Sequence, residues 1–518
     1  MKARYTFGVL FILLMASTWL SGQQTVITHP QPDQPMAERW EWAFNAAGEQ
    51  VDKGKFWVGF SLQRLMNERA YLWSSDGNFY FTNGYINASG PTLGEIIYGE
   101  AVTGSGKSED EQLREEAQRA LDEINHVKRP SKKVMKEVAV LCQYAAGNNN
   151  AGDMRRMVIM NVDLPMKLDK QPLFWLGGSE AVETIPFLAN LYQEAAPSKL
   201  KEQVIAAIGM HDHPELVIPF LDDVLKSDAT VRLRKEAAGW LGEQHDEKAL
   251  SILIRTVKND RSQDVRQEAV EAIGDLDLDA ATPALTDIAQ NERDPDLRKE
   301  AVEGLGHKGN PAAISALEKI AFSDRDEDVQ QEAVQAIGHQ ENQAAFNFLM
   351  KVIETHRNPD VRQEAVSMLQ HQPIDNLSEV LEKIVFENDD EDAQDEALQI
   401  LTNISGGDAP DRLIRIYKTH PNRKIREEAM DYLVKVAADK AVATLGNVID
   451  NEEDLNIQLE ALETLADLSN NAGIPRLIEI SRTHKDRRVR KEAIELLGDS
   501  DDPRAHAALI DIVEKMDE

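Results

Sequence analysis

Few residues in this chain have the types and spacing to do chemistry. Gly104-Ser105-Gly106-Lys107-Ser108 has the Gly-Lys-Ser end of a phosphate-binding loop, whose backbone N–H groups would cradle a phosphate. Ala101 stands where that loop needs its first glycine, and Glu109, Asp110 and Glu111 would set carboxylates beside the phosphate. Histidine offers metal ligands, but His307, His339 and His371 recur every 32 residues, and His356, His420 and His484 every 64. On a helical repeat, such residues are expected roughly 9 Å or more apart, whereas a zinc ion needs its ligands at about 2 Å. His211-Asp212-His213 is the one tight group, either a weak surface metal site or a solvated turn between helices. Cys142 is the only cysteine, so no intrachain disulfide forms; within Val138-Ala139-Val140-Leu141 it is expected to be buried. A glutamate recurs every 32 residues from Glu236 to Glu492, too widely spaced for two carboxylates to share one bond in acid–base work. No catalytic set, metal site or cofactor site emerges.

The same spacing identifies the elements that carry these residues. Alanine recurs as Ala237, Ala269, Ala301, Ala333, Ala365, Ala397, Ala429, Ala461 and Ala493, each preceded by the glutamate. Around Ala269, the residues Val265, Val270 and Ile273 complete one apolar helical face. Seven residues before each alanine stands a helix-capping type: Thr230, Ser262, Asp294, Asp326, Asn358, Asp390, Asn422, Asp454 and Asp486. Five copies place glycine five after the alanine (Gly242, Gly274, Gly306, Gly338, Gly498), as helix C-termini prefer. Sixteen residues before each alanine lies leucine, from Leu253 to Leu477 in steps of 32, with Leu509 after them and Leu221 and Leu188 extending the row upstream. Each unit is thus a Leu-type helix followed by an antiparallel Ala-type helix. Neither buries its stripe alone, and stacking makes one continuous core.

This pattern resembles the short HEAT-like repeats of the phycobilisome-lyase type, whose signature is an aliphatic-Arg-x-x-Ala helix ending in Leu/Ile-Gly. Arg234, Arg266, Arg298, Arg362, Arg426 and Arg490 fit it, while Gln330, Gln394 and Gln458 depart from it. The resemblance covers roughly residues 165–518 and implies an α-solenoid, a curved superhelix with one helix of each pair lining the concave side. It does not fix a function, because that repeat serves enzymes and scaffolds alike. The arginine ladder, two residues before Glu268, Glu300, Glu332 and Glu364, is expected to make ion pairs between repeats.

Lys2 and Arg4, an apolar run from Phe7 to Ala16, then Ser17, Thr18, Ser21 and Gly22 read as a signal peptide over 1–22, and hence export to the periplasm or the extracellular space. The apolar run is too short for an ordinary spanning helix, so no stable membrane insertion is expected after cleavage. Residues 23–37, with Pro30, Pro32 and Pro35, read as a linker. Residues 38–108 read as a small α+β module with its own aromatic core: a strand at Phe56–Leu62 and a hairpin from Ala70–Trp73 to Phe79–Thr82. Residues 109–164 read as a helical transition, with helices near 109–126 and 130–145, and 165–518 as the solenoid.

The formal net charge of -33 repels phosphate backbones and argues against a nucleic-acid partner. The leading expectation is a non-catalytic scaffold presenting its concave surface to a protein or peptide. Its candidate contacts are Trp240, which fills a position held by small residues elsewhere and marks either a packing adjustment or a contact anchor, and the basic run Arg482, Lys485, Arg487 and Arg488. Two alternatives stand beside it: a lyase-type solenoid holding a small ligand in its curve, and glycan or cell-wall binding through the aromatic module.

Overall fold

The computed structural model describes residues 25–51, 53–67, 70–75, 78–82, 90–99, 133–146, 154–194, 198–228, 230–403, 409–468 and 471–516. The signal-peptide segment, the Gly104–Ser108 stretch and the expected helix at 109–126 lie outside these residues. The chain divides into two compact units, residues 1–284 and 285–518.

The first unit opens with a seven-stranded sheet in the order β1-β7-β2-β5-β6-β3-β4. Its strands are β1 (Val26–Thr28), β2 (Lys55–Asn67), β3 (Tyr71–Ser75), β4 (Asn78–Thr82), β5 (Lys133–Ala145), β6 (Met154–Asn161) and β7 (Leu173–Gly178). The strand and hairpin expected from Phe56–Leu62 and Ala70–Thr82 are β2 and the β3–β4 pair. Helix α1 (Met36–Gln50) covers one face, where Phe44 meets Tyr144 at 4.8 Å and Phe56 at 5.7 Å between ring centroids. On the other face Trp57, Leu141, Val158 and Trp175 pack with Leu93 of α2 (Leu93–Tyr98) and with Leu164 and Leu168. Gly59 has no alternative there, since a Cβ would strike Leu141 and the Trp175 ring.

Three expected boundaries are corrected. The transition over 109–164 is not helical where it is described: β5 and β6 are strands, and β5 pairs antiparallel with β2 from Lys133↔Asn67 to Ala145↔Lys55. The run Val138–Cys142 is apolar without alternation because both sides of the central strand β5 are covered, and such a run has no period to separate strand from helix. The linker 23–37 contains edge strand β1, paired parallel to β7, and the first two residues of α1. Residues 165–178 are the loop leading into β7 and β7 itself (Leu173–Gly178), so the helical array begins at Ala181. Pro172 is the residue before β7, and Val204 lies wholly buried in a helix.

The array in the first unit runs α3 (Ala181–Glu194), α4 (Ser198–Gly209), α5 (Pro214–Ser227), α6 (Val231–Gly242), α7 (Glu247–Asn259) and α8 (Gln263–Asp275). Helix α9 (Ala281–Asn291) spans the division. In the second unit the Leu-type helices are α11 (Pro311–Ser323), α13 (Gln343–Thr355), α15 (Leu377–Glu387), α17 (Ala409–Thr419), α19 (Ala438–Asn451), α21 (Ile474–Thr483) and α23 (Pro503–Met516). Their Ala-type partners are α10 (Pro295–Lys308), α12 (Glu327–Gly338), α14 (Pro359–Met368), α16 (Glu391–Asn403), α18 (Arg423–Val436), α20 (Leu455–Ala466) and α22 (Arg487–Asp499). All nine ladder alanines are fully buried, as are the leucines from Leu221 to Leu477. The expected solenoid of 32-residue helix pairs is therefore the observed architecture.

Candidate interaction surface

The Ala-type helices are held in register by a bonding pattern that recurs at the same positions in most copies. Seven of the nine capping residues accept from the backbone N–H two residues on, from Asp294 to Asp486; Thr230 and Ser262 occupy the cap position without that bond. The residue two before the cap adds a second acceptor: Asp228, Asp260, Asp324, His356, Asn388, His420, Glu452 and His484 each take the cap residue's N–H. Nothing in the apolar pattern marks this position. It is legible only as a column of side chains that can all accept a hydrogen bond.

The arginine ladder makes the expected ion pairs between repeats in part, and has a second role besides. Arg234, Arg266, Arg298, Arg362, Arg426 and Arg490 each donate to the carbonyl six residues back, where the Leu-type helix has ended. Gln330, Gln394 and Gln458 donate to the same carbonyl. Both side chains reach an orphan carbonyl that the helix cannot satisfy itself, so the three glutamines conserve the bond while changing the residue. The ion pairs of the ladder go to aspartate, not to the glutamates: Arg234 to Asp260 at 2.8 Å, Arg298 to Asp324 at 2.9 Å and Arg362 to Asp390 at 2.8 Å. Burial pushes the Asp260 carboxyl up, but Arg234 and the Ser262 N–H together hold it below its ordinary range.

Histidine also serves the frame. His356, His420 and His484 are buried, and each Nε2 donates to a carbonyl 35 residues back, Ala321, Val385 and Ile449. Each Nδ1 accepts the N–H two residues on, which fixes the Nε2–H tautomer. The His339 and His371 rings lie 5.9 Å apart, nearer than the repeat spacing suggested. His211 is buried and not in a solvated turn; burial lowers its pKa to about 4, while its Nδ1 bonds the Ile208 carbonyl. No group of three His, Cys, Asp or Glu able to hold a metal occurs among the described residues. Cys142 is buried in β5, and that burial pushes its thiol pKa up.

Glycine five after the alanine is not a helix cap. None of Gly242, Gly274, Gly306, Gly338 and Gly498 adopts a left-handed φ. Three of them clear space for the next Ala-type helix: a Cβ on Gly242 would lie 2.9 Å from the Ala272 carbonyl oxygen, on Gly306 3.0 Å from the Ala336 Cβ, and on Gly338 2.8 Å from Met368. Successive Ala-type helices pack directly on one another, α6 on α8 in the first unit and α10 through α18 in series in the second.

That close packing leaves one side of the row facing solvent, and its chemistry is acidic. In the second unit the positions one before and two after the alanine are Glu300 and Glu303, Glu332 and Gln335, Glu364 and Ser367, Glu396 and Gln399, Glu428 and Asp431, Glu460 and Glu463, and Glu492 and Glu495. The first of each pair is half-buried between neighbouring helices. Some cations from the preceding repeat reach it, Lys299 to Glu332 at 3.9 Å and Arg423 to Glu460 at 3.4 Å, as Lys235 reaches Glu268 at 3.3 Å in the first unit. Burial nonetheless raises the pKa of Glu332, Glu364, Glu428, Asp431 and Glu460, and neighbouring carboxylates push each of them the same way.

The five candidate contacts fare differently. Trp240 is buried: its ring lies against Gly209, its Nε1 donates to Glu236 at 2.9 Å, and the Arg64 guanidinium of β2 sits 5.8 Å over the ring. It joins the sheet to the array and is no exposed anchor. Arg482 pairs with Asp511 at 2.9 Å, Arg488 with Asp486 at 2.7 Å, and Lys485 donates to the Asp450 carbonyl at 3.4 Å. Arg487 is exposed, and two of the four charges, Arg482 and Arg488, are balanced by carboxylates of this chain. Sequence reasoning missed Phe322 and Phe386, large apolar side chains more than a third exposed whose rings lie tilted against His356 and His420. Their spacing of 64 residues matched that of the histidines and was the available signal.

A family model described as HEAT repeats matches residues 185–274, 218–306, 282–370 and 442–518. No curated protein matches the chain. Among solved structures, the complex of CpcE and CpcF of phycocyanin lyase from Nostoc sp. is 20% identical, covers 48% of this chain and 94% of that one, and superposes with a TM-score of 0.25. Kap121p is 13% identical over 61% of this chain and 40% of its own, with a TM-score of 0.34. Human deoxyhypusine hydroxylase is 20% identical over 58% of this chain and 97% of its own, with a TM-score of 0.22.

Proposed function

The chain belongs to the HEAT-repeat proteins, a fold typical of protein-binding scaffolds, and from that premise we propose that it is a non-catalytic scaffold acting outside the cytoplasm. The row of Ala-type helices is the surface it presents, and a basic stretch of a protein or peptide is what that surface takes. One observation carries this reading: carboxylates recur on one side of successive helices, half-buried and crowded enough to raise their pKa values. A lysine- or arginine-rich segment would relieve that repulsion in every repeat it crosses. Export rests on the basic and apolar start of the chain; no described helix is long and apolar enough to cross a membrane.

The glycan reading has less to stand on, because Trp40, Phe44, Phe56, Trp57 and Phe60 are interior, although Trp42, Tyr71 and Trp73 are half-buried and the side chains of Phe79, Tyr80, Phe81 and Tyr85 lie outside those described. The test is calorimetric titration of the full chain with a lysine/arginine-rich peptide and with a glutamate-rich one. The basic peptide binds, more weakly as salt rises, and the triple variant Glu364→Lys/Glu396→Lys/Glu428→Lys loses it. Equal behaviour of the two peptides, or an unaffected variant, would discard the proposal.

A further inference from the structure

Two aromatic rings stand at the surface of the second unit where its frame does not need them. Phe322 lies in the last turn of α11 and Phe386 in the last turn of α15, 37% and 36% exposed. The same position in α13, α17, α19 and α21 is polar: Glu354, Lys418, Asp450 and Arg482. Each ring lies against a buried histidine, Phe322 against His356 at 5.2 Å and Phe386 against His420 at 5.1 Å between centroids. The histidines do not depend on that contact. His484 bonds the Ile449 carbonyl at 3.0 Å, as His420 bonds that of Val385, and it accepts the Asp486 N–H, all with Asp450 in the place of the phenylalanine. Aspartate thus serves the frame there, and an exposed ring beside a cavity is the kind of side chain that anchors a partner.

The space between the rings is a groove. A cavity of about 880 Å³ runs from Phe322 to Arg357, and a second of about 420 Å³ continues from Arg357 to Glu387, next to Phe386; the two share Thr355, His356 and Arg357. We infer that this groove takes an extended segment of another protein, with two large apolar side chains six residues apart, one on each ring, and basic residues between them. Spacing sets the six. The rings are two repeats apart, roughly 16–20 Å at 8–10 Å per packed layer. An extended chain rises about 3.3 Å per residue and returns a side chain to the same side every second residue. Six residues therefore span about 20 Å with both apolar side chains toward the rings, whereas five turn one of them away and four fall short. Charge sets the residues between. Asp328, Glu354 and Asp389 line the groove and pair with no described cation. Of the lining cations, Arg325 is taken by the Glu292 and Arg293 carbonyls, Arg362 by Asp390 and Lys383 by Glu387, which leaves Arg357 alone against those carboxylates. The groove lies at helix ends, apart from the exposed side of the Ala-type row, so it does not rest on the reading above.

Fluorescence anisotropy of the full chain decides it, with labelled peptides of one composition that carry two leucines in a lysine/serine background. The leucines stand six, five or four residues apart. The six-residue spacing binds at least about tenfold more tightly than the other two. The double variant Phe322→Asp/Phe386→Asp brings it down to their level with an unchanged thermal midpoint, since Asp450 fills that place natively. The row variant Glu364→Lys/Glu396→Lys/Glu428→Lys weakens the three peptides alike and preserves the ratio between them. Equal affinity for all spacings on the wild-type chain overturns the inference, and if the row variant then abolishes binding, the acidic-row reading stands without it. A six-residue preference that survives both aspartates also overturns it. Binding of none of the peptides removes both readings.

Discussion

Arg298→Met should be among the most damaging single changes in the second unit, and Arg298→Gln a milder one. The side chain is 2% exposed; its Nη1 donates to the Glu292 and Arg293 carbonyls at 3.2 Å, and its Nε and Nη2 donate to Asp324 at 3.0 and 2.9 Å. Asp324, itself 7% exposed in its side chain, keeps only the Asp326 N–H once the guanidinium is gone. Removing one partner of a buried pair costs about 3–5 kcal/mol, chiefly because the other charge stays behind. Glutamine restores the bond to the carbonyl six residues back, as Gln330 makes it natively, and recovers about 1 kcal/mol. Urea unfolding followed by circular dichroism gives the order wild type, Arg298→Gln, Arg298→Met. Hydrogen exchange places the loss in α10–α12, since each repeat touches only its neighbours. If both variants fall within about 0.5 kcal/mol of wild type, the range of a surface substitution, the bonding scheme assigned to this ladder is wrong.

Three further outcomes follow from the same packing. Gly338→Ala forces a Cβ to 2.8 Å from Met368 and should cost about 1–3 kcal/mol by overpacking, whereas Gly498→Ala meets nothing within 4 Å and should stabilise by roughly 0.5–1 kcal/mol through helix propensity; paired thermal melts separate them. Glu364, raised by burial and by Glu396 and Glu332, has a folded pKa above its ordinary 4.5. Ionising it therefore disfavours folding, and that penalty vanishes as pH falls through the folded value. Glu364→Gln should raise the urea midpoint at neutral pH, with the gain gone near the ordinary glutamate range. Trp240→Ala empties the space against Gly209 and under Arg64 and should cost about 3–5 kcal/mol, read as faster proteolysis between sheet and array.

The helix pairs were legible because a repeat core is periodic: Ala269 and Leu253 recur so regularly that register, face and caps follow from spacing alone. The side-chain partners were harder to read. Arg266 stands two residues from Glu268, yet a helical side chain leans toward the N-terminus, so it reaches a carbonyl six residues back and not that carboxylate. Glycine at Gly306 looked like a cap because caps and close helix contacts both select it, and only φ separates the two. Strand β5 hid in its own burial, since Val138–Cys142 is apolar on both faces. Trp240 turned on Gly209 and Arg64, residues distant in sequence whose approach no local pattern announces.

The acidic row of Ala-type helices is the claim on which the functional account stands, and photocrosslinking in the native cell tests it most directly. A photoreactive amino acid at Gln363, beside Glu364 on that row, should yield one discrete adduct with a protein or peptide carrying a basic segment. The same probe at Glu379, exposed on the Leu-type helix α15, should yield none. Adducts at Glu379 alone, or none at either position while the full chain is present and folded, would contradict the account.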